Sequence, residues 1–206
     1  MPQSLIPQSS ARTPRPGYLV ACLVLASMLG LGGLTNGCGT IQFYRQATHA
    51  GLTSDSKMDP ELRAWVEHVH QARNEGLVTY AGRIVPLATA NALLSFLLIV
   101  ASATALAGRP RANSLALQAT AANLAYTVID FVLERPLRTV IIEAATRAPP
   151  GIPALAERLP SAMGWWWMYR GLFVLQLAAL AAIIYGLTRP RVAAIYGADD
   201  DPEQDG

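Results

Sequence analysis

The sequence predicts an all-α integral membrane protein with four transmembrane helices and amphipathic surface helices in its two long outer loops. Two observations support this fold class. Hydrophobic residues make up 52% of the 206-residue chain, and the charged residues are concentrated in the tails and in two long loops. Four long apolar segments remain between them. A membrane-spanning helix needs about 20 apolar residues, and each of these segments is long enough.

The segments define one predicted domain, residues 17–191, arranged as a four-helix bundle. Its spans cover residues 17–40, 84–108, 112–133 and 165–187. The two long loops are residues 41–83 and 134–164. A proline-rich basic tail, residues 1–16, and an acidic tail, residues 192–206, flank the domain. We expect both tails to be disordered because neither contains enough apolar residues to form a core.

The first span carries no charge and is too long for the apolar core of a secretory signal, so we expect an uncleaved anchor. Ala26 and Gly30 are four residues apart, and so are Gly33 and Gly37. This spacing places small side chains on one face and lets two helix backbones approach closely. The span is therefore predicted to pack tightly on another helix.

Each long loop is predicted to contain one amphipathic helix. In the first loop, Asp59 and Pro60 are typical of a helix start, and the helix is expected to run to Asn74 and to be closed by Gly76. In the second loop, apolar residues recur at helical spacing over residues 137–144. Both helices are expected to lie on the membrane surface or on the bundle.

The third span carries a stripe of small and polar side chains. Its polar members recur three, four or seven residues apart along one helix face, with Ala116 between the first two and Glu134 after the last: Asn113, Thr120, Asn123, Thr127 and Asp130. Lipid would leave these groups without hydrogen-bond partners. We therefore predict that the stripe faces other helices or a water-filled cavity.

The second span is predicted to be the neighbour of this stripe. The turn Arg109-Pro110-Arg111 is so short that the second and third spans must be antiparallel neighbours. Asn91, Ser95 and Ser102 also share one face of the second span. We expect these two spans to form the core hairpin of the bundle.

Asp130 and Arg170 are charged residues inside predicted spans. At about 1.5 Å rise per residue their depths agree to roughly 3 Å, so we predict that they form a charge pair. Two alternatives stay open. Each side chain reaches the headgroups separately, or Asp130 is a functional carboxylate whose partner is Arg83 or Arg135.

Aromatic and basic residues indicate how the chain crosses the membrane. An aromatic belt is predicted where the fourth span enters the interface, at Trp165, Trp166, Trp167 and Tyr169. Arginines without neighbouring acids flank the spans on one side: Arg12, Arg15, Arg109, Arg111, Arg189 and Arg191. By the positive-inside rule, both termini are cytoplasmic and both long loops are outside. We expect a cell membrane of the bacterial inner-membrane type.

Sequence motifs for catalysis or cofactor binding are missing. No nucleotide-binding glycine loop, zinc motif or serine-hydrolase motif occurs, and no histidine lies in a span to hold a haem. A net charge of +2 without a basic stripe argues against nucleic acid. We therefore expect no enzyme, no cofactor and no metal.

Two functional classes remain. The first is a non-catalytic, structural or partner-binding component of a membrane complex, whose partners are the lipid bilayer, other membrane proteins or a second copy of the chain. The second is a small transporter or channel subunit that uses the polar stripe of the third span.

The orientation predicts a labelling pattern. Cysteines placed near Asp55 or Pro153 should react with a membrane-impermeant reagent in intact cells, because both long loops are expected to be outside. Cysteines at Ala112 and Ala194 should stay unlabelled. The reverse pattern would overturn the orientation.

Overall fold

A computed structural model of the protein describes residues 16–46, 59–109, 111–149 and 151–197, and in these residues the regular secondary structure is entirely helical. A short 3-10 helix, Pro153–Arg158, precedes the last long helix. The α-helices are α1 (Gly17–Gln46), α2 (Pro60–Thr79), α3 (Ala81–Ala107), α4 (Ala112–Leu133), α5 (Arg135–Thr146), α6 (Ala162–Leu187) and α7 (Pro190–Gly197).

Four of these helices, α1, α3, α4 and α6, are long and apolar enough to cross a membrane. The prediction of an all-helical protein with four such helices is confirmed. Their outward faces carry large apolar side chains, and Leu93 on α3 and Leu175 on α6 are each 66% exposed. Apolar surface this extensive is typical of a protein whose solvent is lipid.

The four long helices form a ring in which α1 contacts α3, α3 contacts α4, α4 contacts α6, and α6 contacts α1. The predicted contact between α3 and α4 is present, but α3 packs most extensively on α1. Glycines explain this close approach. A Cβ at Gly30 would lie 3.0 Å from the Ser95 carbonyl oxygen, and one at Gly37 would lie 2.8 Å from that of Ala88. The close packing predicted from the small-residue spacing is confirmed.

One end of the ring is filled by a compact apolar core. Leu19, Leu98, Ile183 and Val192 have 0–1% of their surface exposed. The last of these belongs to α7, whose Tyr196 hydroxyl donates to the Ala105 carbonyl at 2.6 Å.

The structured region therefore extends beyond the predicted domain boundary at residue 191. Residues 192–197, which we had placed in a disordered tail, continue as the helix α7. Val192 and Tyr196 are four residues apart, so one face of α7 packs on the bundle. The rest of that tail, and residues 1–15 with Arg12 and Arg15, lie outside the described residues.

The topology-setting arginines that the structure describes lie near this apolar core. Arg109 and Arg111 are exposed in the turn between α3 and α4, and Arg189 and Arg191 are exposed where α6 meets α7. Ala112, by contrast, is only 4% exposed. A cysteine there would be shielded by packing on either side of a membrane, so the exposed Thr188 is the better position for labelling.

At the opposite end of the ring, α2 and α5 pack against each other. The predicted start of α2 is present, since the Asp59 side chain accepts from the Glu61 backbone N–H at 3.1 Å. The predicted end at Gly76 is wrong, because α2 continues to Thr79. Gly76 is buried inside α2, where an added Cβ would lie 2.7 Å from the end of the Leu137 side chain of α5, so this glycine is at a packing contact and not at a helix end.

Two hydrogen bonds fasten this pair of helices. The Trp65 indole N–H of α2 donates to the Ala145 carbonyl of α5 at 3.1 Å. The Tyr44 hydroxyl, near the end of α1, donates to the Leu77 carbonyl of α2 at 2.6 Å. We call this region, formed by α2, α5 and the adjoining ends of the long helices, the α2/α5 end.

The contact between α1 and α3 generates a stability prediction. Gly37→Ala should lower the thermal stability of the detergent-solubilised protein, by about 1–3 kcal/mol, because the new methyl group would overlap backbone atoms of α3. The matched control is Gly39→Ala on the same helix, where nothing lies within 4 Å of the added Cβ. That variant should be as stable as the wild type or slightly more stable. Equal stability of both variants would contradict the packing account.

A candidate binding cavity at the α2/α5 end

The stripe on α4 is divided between packing and a cavity. In its middle, Thr120 is 0% and Asn123 is 8% exposed. The Asn123 side-chain amide donates to the Leu94 carbonyl of α3 at 3.0 Å and to the Ala119 carbonyl at 2.9 Å. Asn113 donates to the Leu187 carbonyl of α6 at 3.3 Å. Asn113 and Asn123 thus form hydrogen bonds between helices.

Beyond Asn123 the stripe opens into a cavity of about 410 Å³. All six helices from α1 to α6 contribute to its wall. Its polar lining residues are Asn36, Thr40, Arg73, Thr127, Asp130, Glu134, Arg138, Tyr169 and Gln176. Thr127 and Gln176 mark its deep end, where the Gln176 amide donates to the Thr127 hydroxyl at 3.3 Å.

Asp130 is held at the cavity wall by a tyrosine from its own helix. The Tyr126 hydroxyl lies 2.9 Å from Asp130 Oδ1 and 3.0 Å from the Leu87 carbonyl of α3. A phenol has one hydrogen, so these two acceptors share or exchange a single donor. The remaining acceptor capacity of the Asp130 carboxylate is available to the cavity.

Glu134, one helical turn further along, is the second carboxylate of the cavity. Burial and, to a smaller extent, the nearby Asp130 carboxylate raise its pKa from 4.5 to about 7, while Arg138 and Arg73 act in the opposite direction. Glu134 is therefore poised to exchange a proton near neutral pH. Its position on the α4 stripe is the only sequence signal for this role.

Arg138 is the most unusual residue of the site, because its side chain is 8% exposed. A terminal guanidinium nitrogen donates to the Phe131 carbonyl, and the guanidinium carbon lies 4.1 Å from the centre of the Phe131 ring. Burial lowers the pKa of Arg138, opposed by the charges of Glu134 and Asp130. Its Nε is buried without a hydrogen-bond partner among the described residues.

Sequence reasoning missed Arg138, although a signal was present. Leu137 and Ile141 on either side of it form the apolar face of α5, and Arg138 adjoins that face. A basic residue beside the apolar face of a surface helix is usually read as snorkelling toward water. Here α5 packs over the end of α4, so the Arg138 side chain lies between the two helices and is buried.

The predicted pair of Asp130 and Arg170 is not brought together. Within the part of the chain that the structure describes, no hydrogen bond or ion pair joins them, and Asp130 is bonded to Tyr126. Arg170 is exposed, with its guanidinium carbon 5.9 Å from the centre of the Trp167 ring. The two residues line different hollows, because Arg170 lies on another face of α6 from the cavity residues Tyr169 and Phe173.

The residues of the predicted aromatic belt have two different environments. Trp167 is 65% exposed on the outward surface of α6. Tyr169 lines the cavity instead, and its ring centre lies 6.4 Å from that of Trp165. Helical spacing explains the division, because residues two apart on a helix point about 200° away from each other.

The cavity thus offers two carboxylates and two guanidinium groups, with amide and hydroxyl groups between them. Such a lining suits a ligand that carries both charges. Within the part of the chain that the structure describes, no third histidine, cysteine, aspartate or glutamate joins the two carboxylates. Comparison of the chain with protein-family models, with curated proteins and with solved structures finds no match.

The position of Glu134 predicts a pH dependence. An unfolded glutamate loses its proton near pH 4.5, whereas folded Glu134 keeps it to about pH 7. The folded state therefore binds more protons in this window, and the free energy of unfolding should fall as pH rises through it, by at most about 1.4 kcal/mol per pH unit. Above the window this contribution is constant.

Thermal unfolding in mild detergent over this pH range measures the effect. Glu134→Gln should flatten the decline, because the amide does not titrate. Glu143→Gln, which removes an exposed carboxylate of α5, is the control and should leave the decline in place. A decline that is unchanged in Glu134→Gln would assign it to another group.

Proposed function

We propose that the protein is a non-catalytic, multi-pass membrane protein that binds a partner protein through the cavity at its α2/α5 end. We further propose that this end lies outside the cell and that both termini are cytoplasmic, as the arginines indicate. In this role the chain is a partner-binding component of a membrane complex.

The observation that carries this proposal is that the cavity ends within the bundle. Below Thr127, the space between the helices is filled by Thr120 and Asn123 of α4 and by Leu180 of α6, and none of the three is more than 8% exposed. A transport route needs polar groups that continue across the membrane. A charged hollow that ends on packed side chains is better suited to holding a group that enters from one side.

The charges of the lining favour a particular kind of partner. Asp130 and Glu134 attract a cation, and Arg73 and Arg138 attract an anion. A polar segment of another membrane protein, with basic and acidic side chains close together, would satisfy both. A desolvated arrangement of this kind also selects its partner, because a segment without matching charges would leave buried groups unpaired.

The lining hydroxyls support a non-catalytic role. Thr127 donates to the Asn123 carbonyl at 2.8 Å and accepts from Gln176, so its hydroxyl group is already engaged in two hydrogen bonds. Thr40 and Tyr169 have no hydrogen bond to a histidine in the described part of the chain. A histidine within hydrogen-bond reach is the base that most often activates a hydroxyl nucleophile.

A small transporter is the second candidate, and one observation favours it. Asp130 is an ionisable side chain inside a span and lines an open cavity, which is common where solutes or protons cross. The packed layer at Asn123 would then have to open during transport. Uptake of a zwitterionic solute into proteoliposomes that is lost in Asp130→Asn would favour this function.

Site-specific photocrosslinking tests partner binding in intact membranes. A benzophenone amino acid at Leu172, which lies at the rim of the cavity, should give one discrete protein adduct. The same group at Leu175 is the matched control, since it lies on the same helix and is also exposed but does not line the cavity. It should give no protein adduct. Asp130→Asn should weaken the Leu172 adduct by about tenfold, as expected for loss of one charged hydrogen bond. The absence of a protein adduct at Leu172 would refute partner binding.

A further inference from the structure

A second hollow lies beside the cavity, where the corner between α4 and α5 meets the start of α6. Its volume is about 640 Å³. Three of its lining residues are arginines, Arg135 and Arg138 from α5 and Arg170 from α6, and none of the described acidic side chains lines it. We call this hollow the arginine cleft.

Arg138 separates the cleft from the cavity and lines both. It is more than nine-tenths buried, and its Nε has no hydrogen-bond partner among the described residues. A buried guanidinium nitrogen that is left unbonded costs stability. The charge of Arg138 nevertheless lines the cleft, where it would attract an anion.

The other two arginines, Arg135 and Arg170, are exposed, and neither forms an ion pair with a carboxylate of the described residues. Glu134 and Asp130 offset the charge of Arg138 from the cavity side. On the cleft side, an anion between the three guanidinium groups would reduce their mutual repulsion. The planar fork of a guanidinium group fits two oxygens of a phosphate, so a phosphate is the anion that this arrangement suits best.

The surroundings of the cleft indicate what the phosphate is attached to. Trp166 and Met163 line the cleft on the α6 side, and tryptophan is typical of the depth at which lipid headgroups lie. Val132 lines it on the α4 side and is 63% exposed. One turn deeper into the span, Val128 on α4 and Val174 on α6 are also exposed. An apolar seam therefore leads from the cleft toward the bilayer centre.

We propose that the arginine cleft is a binding site for an anionic glycerophospholipid, with its phosphate between Arg135, Arg138 and Arg170 and an acyl chain along the seam between α4 and α6. The site is independent of the partner-binding role and of the orientation of the chain. A free phosphate ester shares the headgroup chemistry but lacks the acyl chain that the seam would hold.

Lipid titration monitored by native mass spectrometry tests the site on the full-length protein in mild detergent. The probes are phosphatidylglycerol, phosphatidylcholine, glycerol 3-phosphate and inorganic phosphate. We expect phosphatidylglycerol to bind at least about tenfold more tightly than phosphatidylcholine, because only the former is a net anion. Glycerol 3-phosphate and inorganic phosphate should not compete with it at equal concentration.

The variant Arg135→Gln/Arg170→Gln removes two exposed charges and leaves the buried Arg138 in place. Its affinity for phosphatidylglycerol should fall about tenfold or more. The control Arg83→Gln/Arg158→Gln removes two exposed arginines that do not line the cleft, and its affinity should be that of the wild type.

Each contrary result overturns the proposal in a defined way. Equal losses in the two double variants would mean that only net charge matters. An unchanged affinity of Arg135→Gln/Arg170→Gln would place lipid elsewhere. Effective competition by glycerol 3-phosphate or inorganic phosphate would assign the cleft to a soluble anion.

Discussion

A polar side chain inside a bilayer has to find its hydrogen-bond partner within the protein, and the architecture of this protein follows from that constraint. The α4 stripe supplies the polar groups. Where another helix comes close, as at Asn123 and Asn113, a backbone carbonyl of α3 or α6 accepts the bond. Where α1 and α6 leave space, the same stripe becomes the wall of a cavity. One helix face thus provides both the packing and the candidate site.

Glycine on α1 and the folding of α5 over α4 are the two features that place this cavity. Close contact at Gly30 and Gly37 draws α1 onto α3. On the adjoining face of α1, Asn36 and Thr40 contribute to the cavity wall. The chain turns at Pro136, at the start of α5. The Arg138 side chain of α5 therefore lies between α5 and α4, and its guanidinium group donates to the Phe131 carbonyl at the end of α4. Charged side chains therefore line the cavity near α5, and uncharged polar side chains line its deep end.

Arg138 connects the two proposed sites, since it lines both the cavity and the arginine cleft. On the cavity side it stabilises the charges of Glu134 and Asp130. On the cleft side it joins two further arginines. The two proposed sites therefore share this residue.

The sequence alone determined the number of spans, their approximate positions, the start of α2 and the close packing of α1. These follow from local properties, namely run length, helical spacing and capping residues, which act within a few residues. The stripe on α4 could also be predicted from the sequence, because the spacing of its residues is a property of one helix.

Only the tertiary structure decided which face meets which neighbour. Asp130 bonds to Tyr126 and not to Arg170 because the rotation of α6 about its axis directs Arg170 into the arginine cleft. Equal depth in the membrane does not fix that rotation. A local rule assigns Gly76 to a helix end, whereas in the structure it is buried against Leu137 and α2 continues to Thr79. Arg138 is a similar case, since its burial depends on the path of α5 over α4. These features arise from contacts between helices, which run length, helical spacing and capping residues do not determine.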